Sequence, residues 1–360
     1  AQYGRLAPML AALEALVRCE SPSDDLGACR SVVTLASDIA TRVLGVPAQI
    51  KEIEGRPVFW WGAEAPDVVI LAHLDTVWPV GSYQPIWEIK GDVLRGPGTF
   101  DMKAGFIQAL YALKGIEGSV ALIATTDEET GSHRSKALIK EVSSKAKAVL
   151  VLEASLDGKV KTGRKGTAMY QIAVHGLASH AGLEPEKGVN STTEIAHIIL
   201  KLSALENTEH GTTVVPTLLS SGNTTNTVPD LATLDIDARS FSQSELERVD
   251  REIRALVAEN PNARIEVTGG LNRPPLQPSS TQALYERAEK VAAAIGMPAL
   301  GSAKVGGASD GNFAAAAGAQ VLDGLGAVGG GAHAPHEWVS ISSMQPRSDF
   351  LHAFIKDLLS

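Results

Sequence analysis

Residues 68–76 read VVILAHLDT, an apolar run that ends on His73 and Asp75. A short, uninterrupted apolar run of this kind is typical of a strand buried on both faces of a parallel sheet. Two further runs also end on polar residues, VALIATTDEE at 120–129 and AVLVLE at 148–153. Because ligands and active sites of open α/β sheets lie beyond the carboxyl ends of the strands, we expect these polar ends to meet in space.

The rest of the chain predicts an α/β fold with two domains. At 360 residues it exceeds the size at which a single core usually stops growing. Buried runs alternate with segments of helical spacing, which predicts a mostly parallel sheet flanked by helices. These helical segments are 5–18, 28–44, 101–114 and 132–142.

Beyond residue 165 the pattern changes to strands with alternating polarity. Their order with two helices, at 190–205 and 243–258, is β-α-β-β-α-β, which predicts a small ferredoxin-like α+β domain. A Pro-rich seam, NRPPLQPS, follows this region. We therefore expect one domain formed by 1–164 and 276–360, interrupted by an inserted domain at 165–275.

Composition excludes several classes of partner. The formal net charge of −9 argues against nucleic acid and anionic membranes. No segment approaches the roughly 18 uninterrupted apolar residues of a membrane span. The only cysteines, Cys19 and Cys29, have neither CxxC spacing nor paired histidines and do not establish a redox compartment. We expect a cytoplasmic protein, with the periplasm or secretion as the alternative if a leader has been removed.

The strand ends, together with two other segments, supply six candidate metal-binding or catalytic groups. GPGTFDMKAG at 96–105 contributes an aspartate and GAHAPHEW at 331–338 a histidine. The full set is His73, Asp101, Glu128, Glu129, Glu153 and His333. It holds one carboxylate more than two divalent cations need, and the remaining carboxylate can act on a water. The set predicts a two-zinc hydrolase of amide bonds, with cobalt or manganese as alternative metals.

Each group taken alone has a simpler interpretation. A lone histidine at a strand end is usually a hydrogen-bonded core residue, Asp101 could be a helix N-cap, and a Glu pair on a loop is usually solvated. Glu153 resists such an interpretation, because burying an unpaired carboxylate costs several kcal/mol. In the metal interpretation Asp75 orients His73, Asp101 bridges the two cations, and one glutamate of the pair binds metal while the other accepts a proton.

These motifs resemble a known family. AHLDTV, GPGTFDMKAG, TTDEETGS, VLEAS, GLASHAG and GAHAPHEW are similar, in this order, to segments of the dinuclear zinc peptidases and amidohydrolases. This group includes the aminoacylases, the succinyl-diaminopimelate desuccinylases and the carboxypeptidase G enzymes. The resemblance spans nearly the whole chain and is strongest to the carboxypeptidase G branch, the glutamate carboxypeptidases.

The resemblance implies roles for individual residues. His73 and Glu153 would hold one zinc, Glu129 and His333 the other, with Asp101 between them. Glu128 would be the general base. His180, in GLASHAG, would donate to the oxyanion, often from the partner subunit, which implies a homodimer formed through 165–275.

The resemblance also indicates how a small acyl-amino acid or peptide would be held. Asn226 and Arg239 match positions that bind the oxyanion or the carboxylate, and Arg273 and Lys159 are further cations for an acidic substrate. In GGASDGNF, Gly307 and Ser309 begin a helix whose free N–H groups suit a carboxylate. We expect release of an amino acid with a free carboxylate, glutamate among the candidates, with N-acyl-amino-acid deacylation or dipeptide cleavage as the alternative.

Two alternatives concern the C-terminal third of the chain. His336 lies three residues after His333 and could compete for metal or line the cleft. Residues 307–311 also form a literal GxSxG motif, and Ser309, Asp323 and His333 follow the order of an α/β-hydrolase triad. Only 51 residues follow Ser309, which is little for the rest of that fold, and the acidic cluster would then have no role.

Overall fold

The computed structural model of the chain describes residues 4–360. The α-helices are α1 (Leu6–Arg18), α2 (Leu26–Leu44), α3 (Ala104–Ala112), α4 (Lys136–Lys145), α5 (Ser191–Ser203), α6 (Gln243–Arg254), α7 (Pro278–Ala294), α8 (Asp310–Ala316) and α9 (Ile341–Leu359). Short helical turns of other types occupy Thr99–Lys103, Glu128–Thr130, Pro185–Lys187 and Thr208–His210.

The strands, in chain order, are as follows. They are β1 (Gln49–Ile53), β2 (Arg56–Gly62), β3 (Val68–His73), β4 (Glu88–Lys90), β5 (Val93–Arg95), β6 (Val120–Thr125), β7 (Ala148–Val151), β8 (Val160–Arg164), β9 (Gly166–His175), β10 (Ser179–His180), β11 (Thr213–Ser221), β12 (Thr227–Val228), β13 (Leu231–Ser240), β14 (Arg264–Arg273), β15 (Ser302–Val305), β16 (Val321–Leu322), β17 (Gly329–Gly330) and β18 (Trp338–Ser340).

The chain divides into two compact units. Unit 1 comprises the described residues up to 163, together with 277–305 and 309–360, and unit 2 comprises 164–276 and 306–308. Each unit has its own core, as expected of a chain this long. Within residues 4–360, no helix has both the length and the apolar character needed to cross a membrane.

The central sheet of unit 1 has six strands in the order β1-β2-β6-β3-β7-β16. The four strands from β6 to β16 are parallel, while β1 and β2 are antiparallel additions at one edge. Every residue of β3 and β6 is buried, which explains why these strands read as unbroken apolar runs. The predicted mostly parallel sheet with flanking helices is confirmed.

Unit 2 is a two-layer α+β structure. Its four-stranded antiparallel sheet has the order β11-β13-β9-β14, and helices α5 and α6 pack on it. Residues of β13 and β9 alternate between buried and less buried positions, as expected for a sheet with one covered face. Ile172, Leu234 and Ile198 lie in the core between the sheet and the helices. The α+β order expected from the sequence is therefore present.

Several element boundaries differ from the predicted ones. The helix predicted over 101–114 begins at Ala104, because Asp101 (φ −117°, ψ 87°) and Met102 (φ −140°, ψ 31°) have non-helical backbones. Asp101 is therefore not a helix N-cap. The helix predicted from 132 begins at Lys136, because Asp127 accepts hydrogen bonds from the N–H groups of Arg134 and Ser135 in the preceding turn.

Candidate metal centre and active site

The carboxyl ends of three parallel strands carry the first group of polar side chains. His73 is the last residue of β3, the Glu128–Glu129 pair follows β6 after two residues, and Glu153 follows β7 after one residue. His73 stands beside Thr125 of β6, and Leu71 stands beside Val151 of β7. Because neighbouring parallel strands end at the same edge, the register brings these distant segments together.

Asp101 lies between the two candidate histidines. Its Oδ1 is 3.2 Å from Nε2 of His73, and its Oδ2 is 3.2 Å from Nε2 of His333. Nε2 of His73 also lies 3.3 Å from Oε1 of Glu153, and Nε2 of His333 lies 3.0 Å from Oε2 of Glu129. One carboxylate thus joins two histidine–glutamate pairs, His73 with Glu153 and His333 with Glu129.

The other ring nitrogen of His73, Nδ1, contacts both the main-chain carbonyl and the carboxylate of Asp75. Nδ1 lies 3.0 Å from the main-chain carbonyl of Asp75 and 3.4 Å from its Oδ1. The nearer contact fixes the ring with Nδ1 protonated, so that Nε2 faces the other acidic groups. Oδ2 of Asp75 accepts hydrogen bonds from Ser23 Oγ at 2.7 Å and from the N–H of Glu129 at 3.1 Å.

The adjacent glutamates occupy different positions. One oxygen of Glu128 lies within 4.8 Å of ligand atoms of both His73 and Glu153. Glu129 belongs instead to a second group with His73 and Asp101, and it contacts His333. The structure therefore separates the two carboxylates spatially, as two different roles would require.

Electrostatics in this cluster are dominated by burial and close charge pairs. Hydrogen bonds to Asp101 and Glu129 raise the pKa of His333 to about 10, while burial raises the pKa of Glu129 to about 6. Burial lowers the pKa of His73, but the charge of Glu153 and the bonds to its acidic neighbours raise it well above its ordinary value. A divalent cation bound here must displace these protons, so binding is coupled to proton release.

The donor set fits divalent metal ions. Ligand atoms held at about 2.0–2.2 Å in a tetrahedron lie about 3.3 Å from one another, close to the 3.0–3.3 Å separations around Asp101. Among the described residues, Oε1 of Glu129 and Oδ1 of Asp75 are buried without a hydrogen-bond partner. A buried carboxylate oxygen without a donor is costly, and a cation would offset that cost for Glu129.

His333, rather than His336, contacts the acidic cluster. Its backbone is in the left-handed region (φ 61°), which is uncommon for residues other than glycine and is found often at functional sites. Its side chain is about half exposed (52%), so this end of the cluster faces solvent. His336 is exposed and makes no contact with Asp101 or Glu129 within hydrogen-bond distance.

The serine of the GxSxG segment is used inside the fold. Ser309 is fully buried, donates from Oγ to Oδ2 of Asp323 at 2.6 Å, and accepts from the N–H of Gly311 as the N-cap of α8. A nucleophilic serine needs an imidazole to take its proton, yet His333 faces Asp101 and Glu129. This arrangement argues against the serine-hydrolase alternative, and it leaves the Ser309 hydroxyl inaccessible to a substrate.

Unit 2 holds five of the other predicted site residues. His180 and Asn226 are both exposed. They lie next to each other, because the N–H of Ala181 donates to the carbonyl of Asn226 at 2.9 Å. Nδ1 of His180 accepts from the N–H groups of residues 182 and 183, both at 3.1 Å. Two N–H donors on Nδ1 place the ring proton on Nε2, which makes Nε2 a hydrogen-bond donor.

The two arginines of unit 2 differ in how accessible they are. Arg239 is partly exposed (38%) and pairs with both carboxylate oxygens of Asp237 at 2.8 and 2.9 Å, so an incoming carboxylate would share its guanidinium. Arg273 is buried, with 6% of its surface exposed. Gly307, also in unit 2, is exposed and its carbonyl accepts from Arg164 Nη1, while Lys159 is exposed in unit 1.

Sequence reasoning missed three residues that support the cluster. Ser23 donates to Asp75, and Met102 Sδ accepts from the N–H of His73 at 3.3 Å. Glu337, fully buried, accepts hydrogen bonds from the main chain of 98–101. Ser23 and Met102 give no signal in the sequence, but a glutamate directly before strand β18, four residues after His333, could have been noticed.

Fold and site together define a metal-dependent hydrolase. Residues 69–357 match the family model described as peptidase family M20/M25/M40, and the chain belongs to this family. The resemblance inferred from the motifs is thereby confirmed, as is its consequence that the chain is a metallopeptidase of this family.

Individual relatives agree with this assignment. The chain is 30% identical over 311 residues to carboxypeptidase G2 of Pseudomonas sp., which covers 82% of this chain and 75% of that protein. It is 25% identical to the succinyl-diaminopimelate desuccinylase of Sulfurovum sp., covering 82% and 84%. Among solved structures, the M20 family metallo-carboxypeptidase Sso-CP2 of Sulfolobus solfataricus shares the fold, with a TM-score of 0.70, 20% identity and coverage of 97% and 98%.

Proposed function

We propose that this protein hydrolyses an amide bond with two divalent metal ions, zinc in the first instance, and releases an amino acid with a free carboxylate. The observation that carries the proposal is the position of Asp101, with one oxygen 3.2 Å from His73 and the other 3.2 Å from His333. A single carboxylate shared by two histidine–glutamate pairs is the ligand arrangement that a two-metal site requires.

The ligand set follows from these contacts. His73 and Glu153 would hold one ion, His333 and Glu129 the other, and Asp101 would contribute to both. When bound, such ions lower the pKa of a water molecule toward 7 and polarise the scissile carbonyl.

Glu128 is the proposed general base and acid. It lies beside His73 and Glu153 but belongs to neither of the pairs that Asp101 joins. Glu128 would take a proton from the attacking water and later give it to the departing amine, whose protonation allows the C–N bond to break. Asp75 would keep His73 in the tautomer whose Nε2 can act as a ligand.

His180 is the proposed donor to the tetrahedral oxyanion. The two N–H groups on Nδ1 support this role, because they leave Nε2–H to donate while the ring is neutral. A neutral donor adds no positive charge to the site, and a single oxyanion donor is typically worth about 10²–10³ in turnover. Asn226, adjacent in the same unit, would contribute to the same group.

We favour a carboxypeptidase-type substrate over the other amide substrates of the family. Carboxypeptidase G2 is a relative at 30% identity, and the partly exposed guanidinium of Arg239 offers a binding group for a substrate carboxylate. Arg273, Lys159 and the main-chain N–H groups near Gly307 are further candidates for an acidic product such as glutamate. The desuccinylase relatives favour an N-acyl amino acid as the second class.

A substrate panel tests this proposal. Zinc-loaded protein, with its metal content measured by elemental analysis, is assayed for amine release from folate-like glutamate conjugates, N-acyl amino acids, N-succinyl amino acids and dipeptides. We expect cleavage of the glutamate conjugates, loss of activity after chelation, recovery on adding zinc, and no effect of a serine-directed reagent. Faster cleavage of succinylated substrates would replace the carboxypeptidase assignment, and no cleavage of any member would contradict the proposal.

Unit 2 is proposed to form a homodimer contact. Strand β11 is at the edge of its sheet, and Val215, Leu218 and Leu219 on it are 46%, 67% and 57% exposed. Leu200 on α5, which packs on the same strand, is 72% exposed. An exposed apolar edge strand invites pairing with a second chain. Light scattering should give a dimer, which Leu218→Lys should weaken; a monomer with full activity would contradict this contact.

A further inference from the structure

Glu337 is a buried carboxylate whose oxygens are turned toward main-chain N–H groups. Its Oε1 accepts from the N–H groups of Phe100 and Asp101, both at 2.9 Å. Its Oε2 accepts from the N–H of Gly98 and from Nε1 of Trp78, both at 3.1 Å. No part of the residue is exposed. A charge placed away from water is costly, and four donors on one carboxylate offset that cost.

Three of these donors belong to the segment that carries the bridging aspartate. Residues 99–103 have no regular helical geometry at Asp101 and Met102, so a regular helix does not hold the aspartate in place. The segment begins at Gly98, whose φ of 68° suits glycine and where a Cβ would meet Thr76 Cγ2 at 2.5 Å. A specific external contact is therefore needed to fix the direction of the Asp101 side chain.

Glu337 also belongs to the turn that carries His333. Its own N–H donates to the carbonyl of Ala334 at 3.0 Å, and Tyr83 Oη donates to its main-chain carbonyl at 3.1 Å. The residue thus connects the two segments that face each other across Asp101 Oδ2 and His333 Nε2.

We propose that Glu337 is a positioning residue, which holds the 98–101 main chain and the His333 turn so that Asp101 can serve both metal positions. This inference rests on the proposed function. In that proposed function Glu337 touches neither substrate nor metal, because its oxygens are occupied by the four N–H donors. Residues that orient metal ligands in this indirect way typically change metal affinity by about 10–100-fold when replaced.

Glu337→Gln is the direct test. In a glutamine, an NH2 group replaces one of the two carboxylate oxygens. The two N–H groups that now donate to that oxygen would lose their acceptor and face another donor instead. We expect the affinity for the more weakly held of two zinc ions, measured by equilibrium dialysis with elemental analysis, to fall about 10–100-fold. The absorption spectrum of the cobalt-substituted protein should change as well, because the bridging geometry is altered.

Glu194→Gln is the matched control. Glu194 in unit 2 is also a buried carboxylate, 4% exposed, and accepts main-chain hydrogen bonds from Glu259 and Asn260 at 2.8 and 2.9 Å. This variant should lower stability without changing metal affinity or the cobalt spectrum. If both variants changed metal affinity equally, the effect of Glu337 would be a general loss of stability, and the proposal would be overturned.

The outcomes separate this proposal from the proposed function. Failure of the unmodified protein to bind two metal ions would contradict the two-metal site itself. Two tightly bound ions in folded Glu337→Gln, with an unchanged cobalt spectrum, would overturn only the positioning role. If Glu337→Gln does not fold, Trp78→Phe removes one of the four donors and keeps the carboxylate. We then expect a measurable loss of metal affinity that stays below the about 10–100-fold expected for Glu337→Gln, and unchanged affinity would overturn the proposal.

Discussion

Replacing Glu128 with glutamine should separate proton transfer from metal binding. The amide has the same size as the carboxylate but cannot accept a proton at the pH of the assay. Glu128 lies near His73 and Glu153, whereas the neighbouring Glu129 contacts His333 at 3.0 Å. We therefore expect Glu128→Gln to retain both metal ions and to lose turnover.

The size of the loss follows from the two steps assigned to Glu128. Proton transfer by a positioned side chain contributes about 10²–10⁴ in rate. Because Glu128 is proposed to act on both the attacking water and the departing amine, the upper end applies, and a loss of about 10⁴ corresponds to about 5.5 kcal/mol in activation free energy. The Michaelis constant should change little, since no ligand is removed.

The assay pairs Glu128→Gln with Glu129→Gln as its matched variant. Turnover, Michaelis constant and metal content are measured for both proteins with the best substrate of the panel. Glu129→Gln should lose metal from the His333 side, because it removes the charge of the carboxylate that lies 3.0 Å from that histidine. Turnover of Glu128→Gln within ten-fold of the unmodified protein, or loss of its metal, would refute the role of Glu128 as base.

Three further predictions concern other parts of the chain. Ser309→Ala should keep turnover within about two-fold of the unmodified protein. It should lower the free energy of unfolding by about 1–3 kcal/mol, because buried Asp323 loses a donor. A loss of turnover of about 100-fold with normal metal content would support the serine nucleophile instead. Hydrogen bonds from Arg248 lower the pKa of Glu245 to about 2. The contribution of Glu245 to stability is therefore present above about pH 4.5 and is lost as the pH falls toward 2. Glu245→Gln should therefore cost about 1 kcal/mol at pH 7, after allowance for solvent screening, and less at pH 3 in urea titrations, and an equal cost at both values would contradict the pKa shift. His180→Ala mixed with Glu128→Gln should regain activity if His180 acts across a dimer, and should remain inactive if both residues serve the same chain.

The sequence predicted the strand ends well because burial leaves a direct trace in composition. The unbroken apolar runs that end at His73 and before Glu128 are typical of buried strands, and parallel pairing makes their ends meet. Strand β1 left no such trace, because most of its residues are exposed and their polarity does not alternate clearly. Helical spacing around 101–114 likewise extended the predicted helix across Asp101, whose backbone is set by distant contacts.

Long-range hydrogen bonds account for what could not be predicted. Nothing near Ser309 in the sequence shows that its hydroxyl donates to Asp323, 14 residues away, and a serine inside GxSxG can be exposed or buried. Glu337 lies more than 230 residues from the N–H groups it accepts from. Local periodicity reports which face of an element is buried, but it does not report which distant partner satisfies a buried polar group.

The assignment of ligands gives a physical reason to propose one carboxylate of this cluster as the base. Two divalent ions bring four positive charges. On the proposed assignment four carboxylates are committed to holding them or to orienting a ligand, namely Asp75, Asp101, Glu129 and Glu153. Their charges offset those of the ions, and on this assignment Glu128 is the one carboxylate of the predicted set that neither holds an ion nor orients a ligand. A carboxylate bound to an ion has its lone pairs committed to the metal, whereas an uncoordinated carboxylate beside the attacking water has one available for the proton, which suits Glu128 to the proposed role of base.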